Sequence, residues 1–253
     1  MEFGLKDRTV LVTGATGGIG QAVARAFAAQ GARVALTYHA NADVAARLAD
    51  ELGGAEGRAL AVRYALEDPD SIETALATVT EHWGGLDVLV ANAIRWGVRR
   101  PADKLFEDVP AEQWESFLRQ NLPPTLRTVQ LAVPGMRTRG WGRIVLVSSH
   151  VAVDGYRGQE FYGAAKAGLH GFARSLAWDV GRDGVLVNVV APGLTATERV
   201  RNGLPAQIRE QESGRTPTGR LSSPEDVAAA IVFLGSAANG NISGEQLTVA
   251  GGR

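Results

Sequence analysis

The sequence predicts an α/β fold: a doubly wound, mostly parallel seven-stranded sheet with helices on both faces, in a single domain. Three observations predict it. Short β-branched apolar runs alternate with helix-period segments, a glycine-rich turn joins the first run to the first helix, and no linker, repeat or low-complexity tract divides the 253 residues. Residues 8–13 (RTVLVT) read as the first strand, 14–20 as the turn, and Ile19, Val23, Ala26 and Phe27 fall at helical spacing. Gly31 suits a helix stop. Residues 33–38 (RVALTY) follow as the second strand and 41–52 as the second helix, which closes a βαβ unit. Further strands are expected at 59–64, 86–91, 143–147, 185–190 and 246–249. Their apolar runs suit strands covered on both faces. Two segments break the alternation: 95–110, with Arg95, Trp96, Arg99, Arg100 and Pro101, and 195–218, which is polar and weakly periodic. Both are expected to be loop-rich, either as walls of a crevice beyond the carboxyl ends of the strands or as plain solvent loops.

Composition narrows the function classes. With 45% hydrophobic and 21% charged residues the chain can bury a sizeable core and is not expected to be disordered. Lys and Arg total 26 against 27 Asp and Glu, a net charge of −1, so no global field recruits nucleic acid or an anionic membrane. The absence of cysteine removes disulfides and thiolate chemistry, suits a reducing cytoplasm, and means that redox chemistry needs a borrowed cofactor. Residues 1–8 show no signal-peptide pattern, and the uncharged run 227–244 is broken by Ser236, Asn239, Gly240 and Asn241, as in a buried helix plus loop. No metal site is expected: His150 has no partner at ligand spacing and there is no HExxH.

The turn Thr13-Gly14-Ala15-Thr16-Gly17-Gly18-Ile19-Gly20 stands where strand meets helix. Glycines there allow close approach of the backbone to a diphosphate, whose charge suits the unpaired N–H groups at the helix start. Glycine turns also serve plain packing; the βαβ context favours nucleotide binding. At the end of the second strand an acid would select NAD by binding the ribose hydroxyls, but Thr37-Tyr38-His39-Ala40-Asn41 contains none. NADP is therefore expected, with Thr37, Tyr38, His39 and Asn41 nearby, although no arginine accompanies them in this stretch. His39 reads equally as an exposed loop histidine.

Tyr162 and Lys166 are four residues apart in an apolar helical stretch and so share a helix face. An ammonium beside a phenol favours phenolate and brings it toward working pH, which lets the pair pass a proton to a carbonyl being reduced. Ser149, after the 143–147 strand, is placed to orient the same oxygen.

Together these residues resemble the short-chain dehydrogenase/reductase family over nearly the whole chain. The TGxxxGxG turn is 13–20, the YxxxK pair is Tyr162 and Lys166, and Ser149 precedes the tyrosine by the family's usual interval. The resemblance implies a Rossmann fold over 1–253, serving as dinucleotide-binding and catalytic domain, with a substrate loop at about 195–218. It implies a catalytic tetrad: Tyr162 as acid/base, Ser149 as substrate orienter, Lys166 on the nicotinamide ribose, and Asn121 supporting a proton-relay water. It assigns NADP(H) contacts to Gly14, Thr16, Gly17, Gly18, Ile19, Gly20, Asn92, Ala93, Pro192, Gly193, Thr195 and Thr197, and implies a homo-oligomer, tetramer or dimer. Ala91 and Ile94 replace the outer residues of the usual NNAG, Ala65 replaces a common aspartate, and Thr195 a common isoleucine. The adenine contacts therefore differ from the family's. Pro123-Pro124 after Asn121 is also atypical; the helix is expected to bend around Arg119 and Gln120, or to restart at the prolines.

Trp96, Tyr156 and Trp141 are expected near the pocket rim with Arg95 and Arg99, where aromatic walls suit a flat ketone. Surface packing is the competing reading for each. His150 faces the substrate or packs inward. The pattern is similar to β-ketoacyl-carrier-protein reductases, and the stretch 91–97 to aromatic-polyketide ketoreductases of the angucycline type. The expected activity is NADPH-dependent reduction of a small-molecule ketone of polyketide type, in the cytoplasm, without nucleic acid or membrane partners. Two alternatives stand: an NAD-dependent alcohol or sugar dehydrogenase, separated by turnover with each cofactor, and a cofactor-binding sensor without turnover, against which the tetrad argues.

Overall fold

The computed structural model describes residues 2–97 and 99–253; Val98, within the 95–110 segment, lies outside them. The chain alternates β1 (Thr9–Val12), α1 (Gly18–Ala29), β2 (Arg33–Tyr38), α2 (Ala42–Glu51), β3 (Ala59–Arg63), α3 (Pro69–Trp83), β4 (Val88–Ala91) and α4 (Ala111–Arg139). It continues through β5 (Gly142–Val147), α5 (Val151–Asp154), α6 (Glu160–Val180), β6 (Val185–Pro192), α7 (Glu198–Gly203), α8 (Ala206–Gly214), α9 (Pro224–Leu234) and β7 (Gln246–Val249). All seven strands pair in parallel, in the order β3-β2-β1-β4-β5-β6-β7. The order reverses between β1 and β4, which opens a crevice at their carboxyl ends.

Alternate residues of each strand serve two cores. Val10 and Val12 of β1 join Val23 and Phe27 of α1 and Ile231 of α9 on one face. Leu11 joins Ile72 of α3, Met136 of α4 and Leu169 of α6 on the other. Full burial of each such side chain contributes roughly 1.5–3 kcal/mol, so both helix layers are firmly held to the sheet. Caps fix two helix starts: Asp68 accepts from Ser71 N–H at 3.2 Å, and Ser223 and Asp226 form a reciprocal box at 3.1 and 2.7 Å.

Strand boundaries differ from the sequence reading by one or two residues. The larger correction is at 195–218, which is not loop-rich but carries α7 and α8. Its pattern is weak because each helix is short and mostly exposed, with Glu212 the one buried residue of α8. The prolines do not restart a helix either. α4 runs through Pro123, Pro124 and Pro134 as one helix, and Pro123 and Pro124 have no N–H to offer the carbonyls of Arg119 and Gln120. No helix among the described residues is long and apolar enough to cross a membrane.

Candidate active site

The glycine turn is held from three strands. Gly14 N–H donates to Thr37 Oγ1 of β2 at 2.9 Å, and Ala15 N–H to Thr37 O at 3.0 Å. Thr13 Oγ1 accepts from Asn92 N–H and Ala93 N–H, both at 2.9 Å, while Asn92 Nδ2 donates to Thr13 O and Gly14 O. Asn92 therefore braces the turn with its amide. Gly14 has φ of 65°, and a Cβ there would stand 2.9 Å from Ala93 Cα. Gly17, at the N-cap of α1, offers no side-chain acceptor, and the first turn contains no acid. The leading N–H groups of α1 are thus left for an outside anion, which fits a dinucleotide diphosphate. Ile19 packs against the core, and Thr16 O accepts from Gln21 Nε2 at 3.0 Å.

Across the cleft, β6 ends at Pro192, whose carbonyl accepts from His150 N–H at 2.9 Å; Gly193 N–H donates to Val249 O at 3.0 Å. Thr195 Oγ1 donates to Gly193 O, and Thr197 caps α7. A Cβ on Gly18 would meet Thr197 Cγ2 at 2.7 Å, so the loop after β6 lies directly on the glycine turn. At the end of β2, Tyr38 is half-buried, and Asn41 stands at the N-cap of α2 without a side-chain cap bond. His39 Nε2 lies 2.9 Å from Glu67 Oε1, and Arg95 Nη1 lies 3.4 Å from the same oxygen. Arg63 is the register partner of Tyr38 and pairs with Asp68 at 2.8 Å. Arg63 and Glu67, which local sequence reasoning missed, are thus brought to the strand end, together with Arg95, which pairs there rather than lining the substrate cavity. Only the strand order tells which residues meet there.

Ser149 follows β5, and Tyr162 and Lys166 lie one turn apart on α6. Ser148 Oγ donates to Lys166 O at 3.0 Å, which docks this turn of α6 against the end of β5. Ser149 is buried, and its Oγ accepts from Val151 N–H at 3.2 Å. Burial pushes the Tyr162 phenol above its ordinary pKa, opposed by a hydrogen bond with Ser149. Lys166 is buried, donates from Nζ to Val147 O at 2.8 Å, and is pushed down to about 8 by desolvation. Lys166 Nζ is turned to the Val147 carbonyl here, and burial is the larger influence on the Tyr162 phenol.

Asn121 is buried with both ends of its amide engaged. Nδ2 donates to Phe117 O at 2.8 Å and Arg95 O at 3.1 Å, and Oδ1 accepts from Arg95 N–H at 2.9 Å. It clamps the segment after β4 onto α4, and Oδ1, which accepts one bond here, keeps a second lone pair.

Beyond Tyr162 opens a cavity of about 730 Å³ between the 96–110 segment, the start of α4 and the start of α6. Trp96, Trp114, Phe117 and Phe161 line it with Tyr162. Trp96 lies nearly parallel to Tyr162, with ring centroids 6.0 Å apart, and carries the Arg199 guanidinium 4.5 Å above its ring. Tyr156 does not line the cavity; it supports Arg99, which does, at 4.7 Å. The expectation for Trp141 is corrected, and His150 follows one of its two readings. Trp141 precedes β5, at the amino end of the sheet away from the cleft, between the guanidiniums of Arg8 and Arg143 at 4.0 and 4.5 Å. His150 packs inward, with Nε2 3.0 Å from Asp154 Oδ2, rather than facing the cavity.

Comparison with known proteins agrees with this geometry. A family model described as enoyl-(acyl carrier protein) reductase matches residues 14–253. The 3-oxoacyl-(acyl-carrier-protein) reductase of Vibrio cholerae is 38% identical over 248 residues, 98% of each chain. That of Aquifex aeolicus is 38% identical over 253 residues, 100% of this chain and 99% of its own. A solved 7α-hydroxysteroid dehydrogenase, complexed with NADH and 7-oxo glycochenodeoxycholic acid, superposes with a TM-score of 0.91 at 30% identity, covering 99% of this chain and 96% of the other.

Proposed function

This chain is an oxidoreductase of the short-chain dehydrogenase/reductase family, and we propose that it reduces a ketone to a secondary alcohol with NADPH, Tyr162 supplying the proton. What supports this most is the convergence of Ser149, Tyr162 and Lys166 beside a glycine turn whose helix N–H groups lack intramolecular caps. NADPH supplies a hydride to the carbonyl carbon when bound. Gly14, Thr16, Gly17, Gly18, Ile19 and Gly20 take its diphosphate side, and Pro192, Gly193, Thr195 and Thr197 the nicotinamide side. Ser149 donates to the ketone oxygen and holds it toward the phenol. Tyr162 transfers its proton to that oxygen as negative charge develops there; its raised pKa keeps it protonated at neutral pH, the form that reduction needs. The Lys166 ammonium binds the ribose and stabilises the phenolate left behind. Asn121 acts as a positioning residue, fixing the wall that carries Trp96.

NADP rather than NAD is favoured by Arg63 and Arg95, gathered at the end of β2 with Tyr38, His39 and Asn41. Asn92 and Ala93 complete the adenosine side. A specific observation supports the NAD reading as well: Glu67 bonds His39 and brings to this end the carboxylate that the second strand lacks. The aromatic cavity favours a flat, polyketide-type ketone, with Trp96 as a wall, Ser149 on its oxygen and Tyr156 behind Arg99. The near-complete exposure of Trp178 on α6, at 90%, supports a homo-oligomer, dimer or tetramer, and the absence of cysteine supports action in the cytoplasm. Light scattering measures the former.

One assay tests the core of the reading. A panel of aryl ketones is followed by NADPH and by NADH oxidation, with wild type and Tyr162→Phe. The expected result is kcat/KM at least about 10-fold higher with NADPH and kcat about 10³-fold lower in the variant, with NADPH binding retained. Ketone reduction that survives Tyr162→Phe refutes the assignment of the proton donor.

A further inference from the structure

We propose that the cavity beyond Tyr162 selects ketones whose end remote from the reacting carbonyl carries an oxygen acceptor, preferably anionic, held by Arg99, Arg100 and Lys104. The inference rests on the ketone-reductase reading and adds the class of substrate. Its basis is a division within the lining. Trp96, Trp114, Phe117 and Phe161 make an apolar body, whereas the cationic groups come from one short segment of the loop after β4. Arginine and lysine side chains donate hydrogen bonds and accept none, so whatever meets them must accept.

Arg100 is the most tightly held of the three. Its side chain is only 9% exposed, with Nη2 2.6 Å from Glu160 Oε1 and Nη1 directed to Lys104 O. Its Nε is buried with no partner among the described residues. Glu160 Oε2 likewise has none among them, and Glu160 does not line the cavity. Arg99 donates from Nη2 to Arg157 O and lies on Tyr156, which fixes the guanidinium without neutralising it. Neither Arg99 nor Lys104 has a carboxylate partner among the described residues, and Glu112 is the one carboxylate in the lining. The lining thus holds three cations and one carboxylate, and of the three Arg100 is already paired with Glu160. That arrangement fits a carboxylate, a phenolate or a quinone-type oxygen on a flat ring system.

The test uses two ketones of matched shape, 6-acetyl-2-naphthoate and 2-acetyl-6-methylnaphthalene, with the whole enzyme and NADPH. The ratio of their kcat/KM values is expected to favour the acid by about 10-fold or more at low salt, to shrink as salt screens exposed charges, and to fall toward one in Arg99→Gln/Lys104→Gln. Equal reduction by wild type, or a ratio that survives the double variant, overturns the inference while leaving the reductase reading intact. If neither ketone is reduced, quenching of Trp96 and Trp114 fluorescence gives the two affinities directly. Acid binding about 10-fold tighter, lost in the double variant, then supports the charged end although the reductase reading fails; equal affinities refute it. Circular dichroism of the variant establishes that it is folded.

Discussion

The two ends of the cleft are made of different material. At the glycine turn the walls are main chain and short side chains: Thr13, Gly14, Gly18, Thr37 and Asn92, tied together by hydrogen bonds from three strands. At the cavity the walls are long side chains on a loop and two helix starts, many of them exposed, with Trp96 at 58%. The same perturbation should therefore have opposite outcomes at the two ends. A backbone wall cannot yield to an added methyl group, whereas a ring at a cavity edge can turn.

Alanine in place of glycine tests that contrast with the largest expected effect. In Gly20→Ala the new Cβ would collide with Gly14 O and stand 2.8 Å from Ala15 Cα, both backbone. The turn has to open, at an expected loss of about 3 kcal/mol in stability together with NADPH binding. In Gly97→Ala the Cβ would meet only the Phe117 ring, at 2.5 Å from Cδ2, and that ring borders open cavity. Stability is expected to change by less than about 1 kcal/mol, while KM for aryl ketones rises. Urea unfolding and NADPH titration of both variants decide the matter; comparable stability losses would erase the distinction.

The two lysines of the cleft sharpen it next. Lys104 sits at the exposed rim, whereas Lys166 is buried and pushed from 10.5 down to about 8 by desolvation. Between about pH 8 and 10.5 the unfolded chain holds a proton on Lys166 that the folded chain has released. Stability from this group therefore rises with pH through that window and is least below it. Tyr162 works the other way: its folded pKa is raised, so its contribution falls as pH climbs past the ordinary value of 10. Comparison with Lys166→Met isolates the lysine. Wild type should gain on the variant by up to about 3 kcal/mol between pH 7.5 and 10, measured by urea unfolding. A flat difference would mean that the Lys166 ammonium is better solvated than its burial implies.

The same division decides how much was legible in the sequence. The sheet, its strand order class and the turn could be read because main-chain requirements leave local marks: β-branched runs, glycines at a strand–helix junction, a tyrosine and lysine one helical turn apart. The roles of Glu67, Arg63 and Arg95 near His39 could not, because three strands bring them together from distant positions. α7 and α8 left little periodicity since they bury almost nothing. Trp141 misled for a related reason. An aromatic residue beside arginines looks the same at either end of a strand, and only the direction of β5 places it away from the cleft. Asn121 was found by its place in the chain, but its clamp on Arg95 depends on where the loop after β4 returns.

The smallest expected effect concerns a stack that joins the substrate segment to the catalytic tyrosine. Arg199 of α7 lies on Trp96, and Trp96 lies on Tyr162, a three-layer stack spanning three elements. An exposed cation–π contact contributes about 0.5–1 kcal/mol, so Arg199→Met, which keeps the stem and loses the charge, should raise KM for 2-acetylnaphthalene by about 2- to 5-fold with little change in kcat. Arg199→Lys should restore part of the loss, since an ammonium also binds the ring face. Ethyl acetoacetate, too small to need the Trp96 wall, is the control. If its KM rises as much as that of the naphthyl ketone, Arg199 supports the fold of α7 rather than the wall, and the cavity would be as rigidly built as the glycine turn.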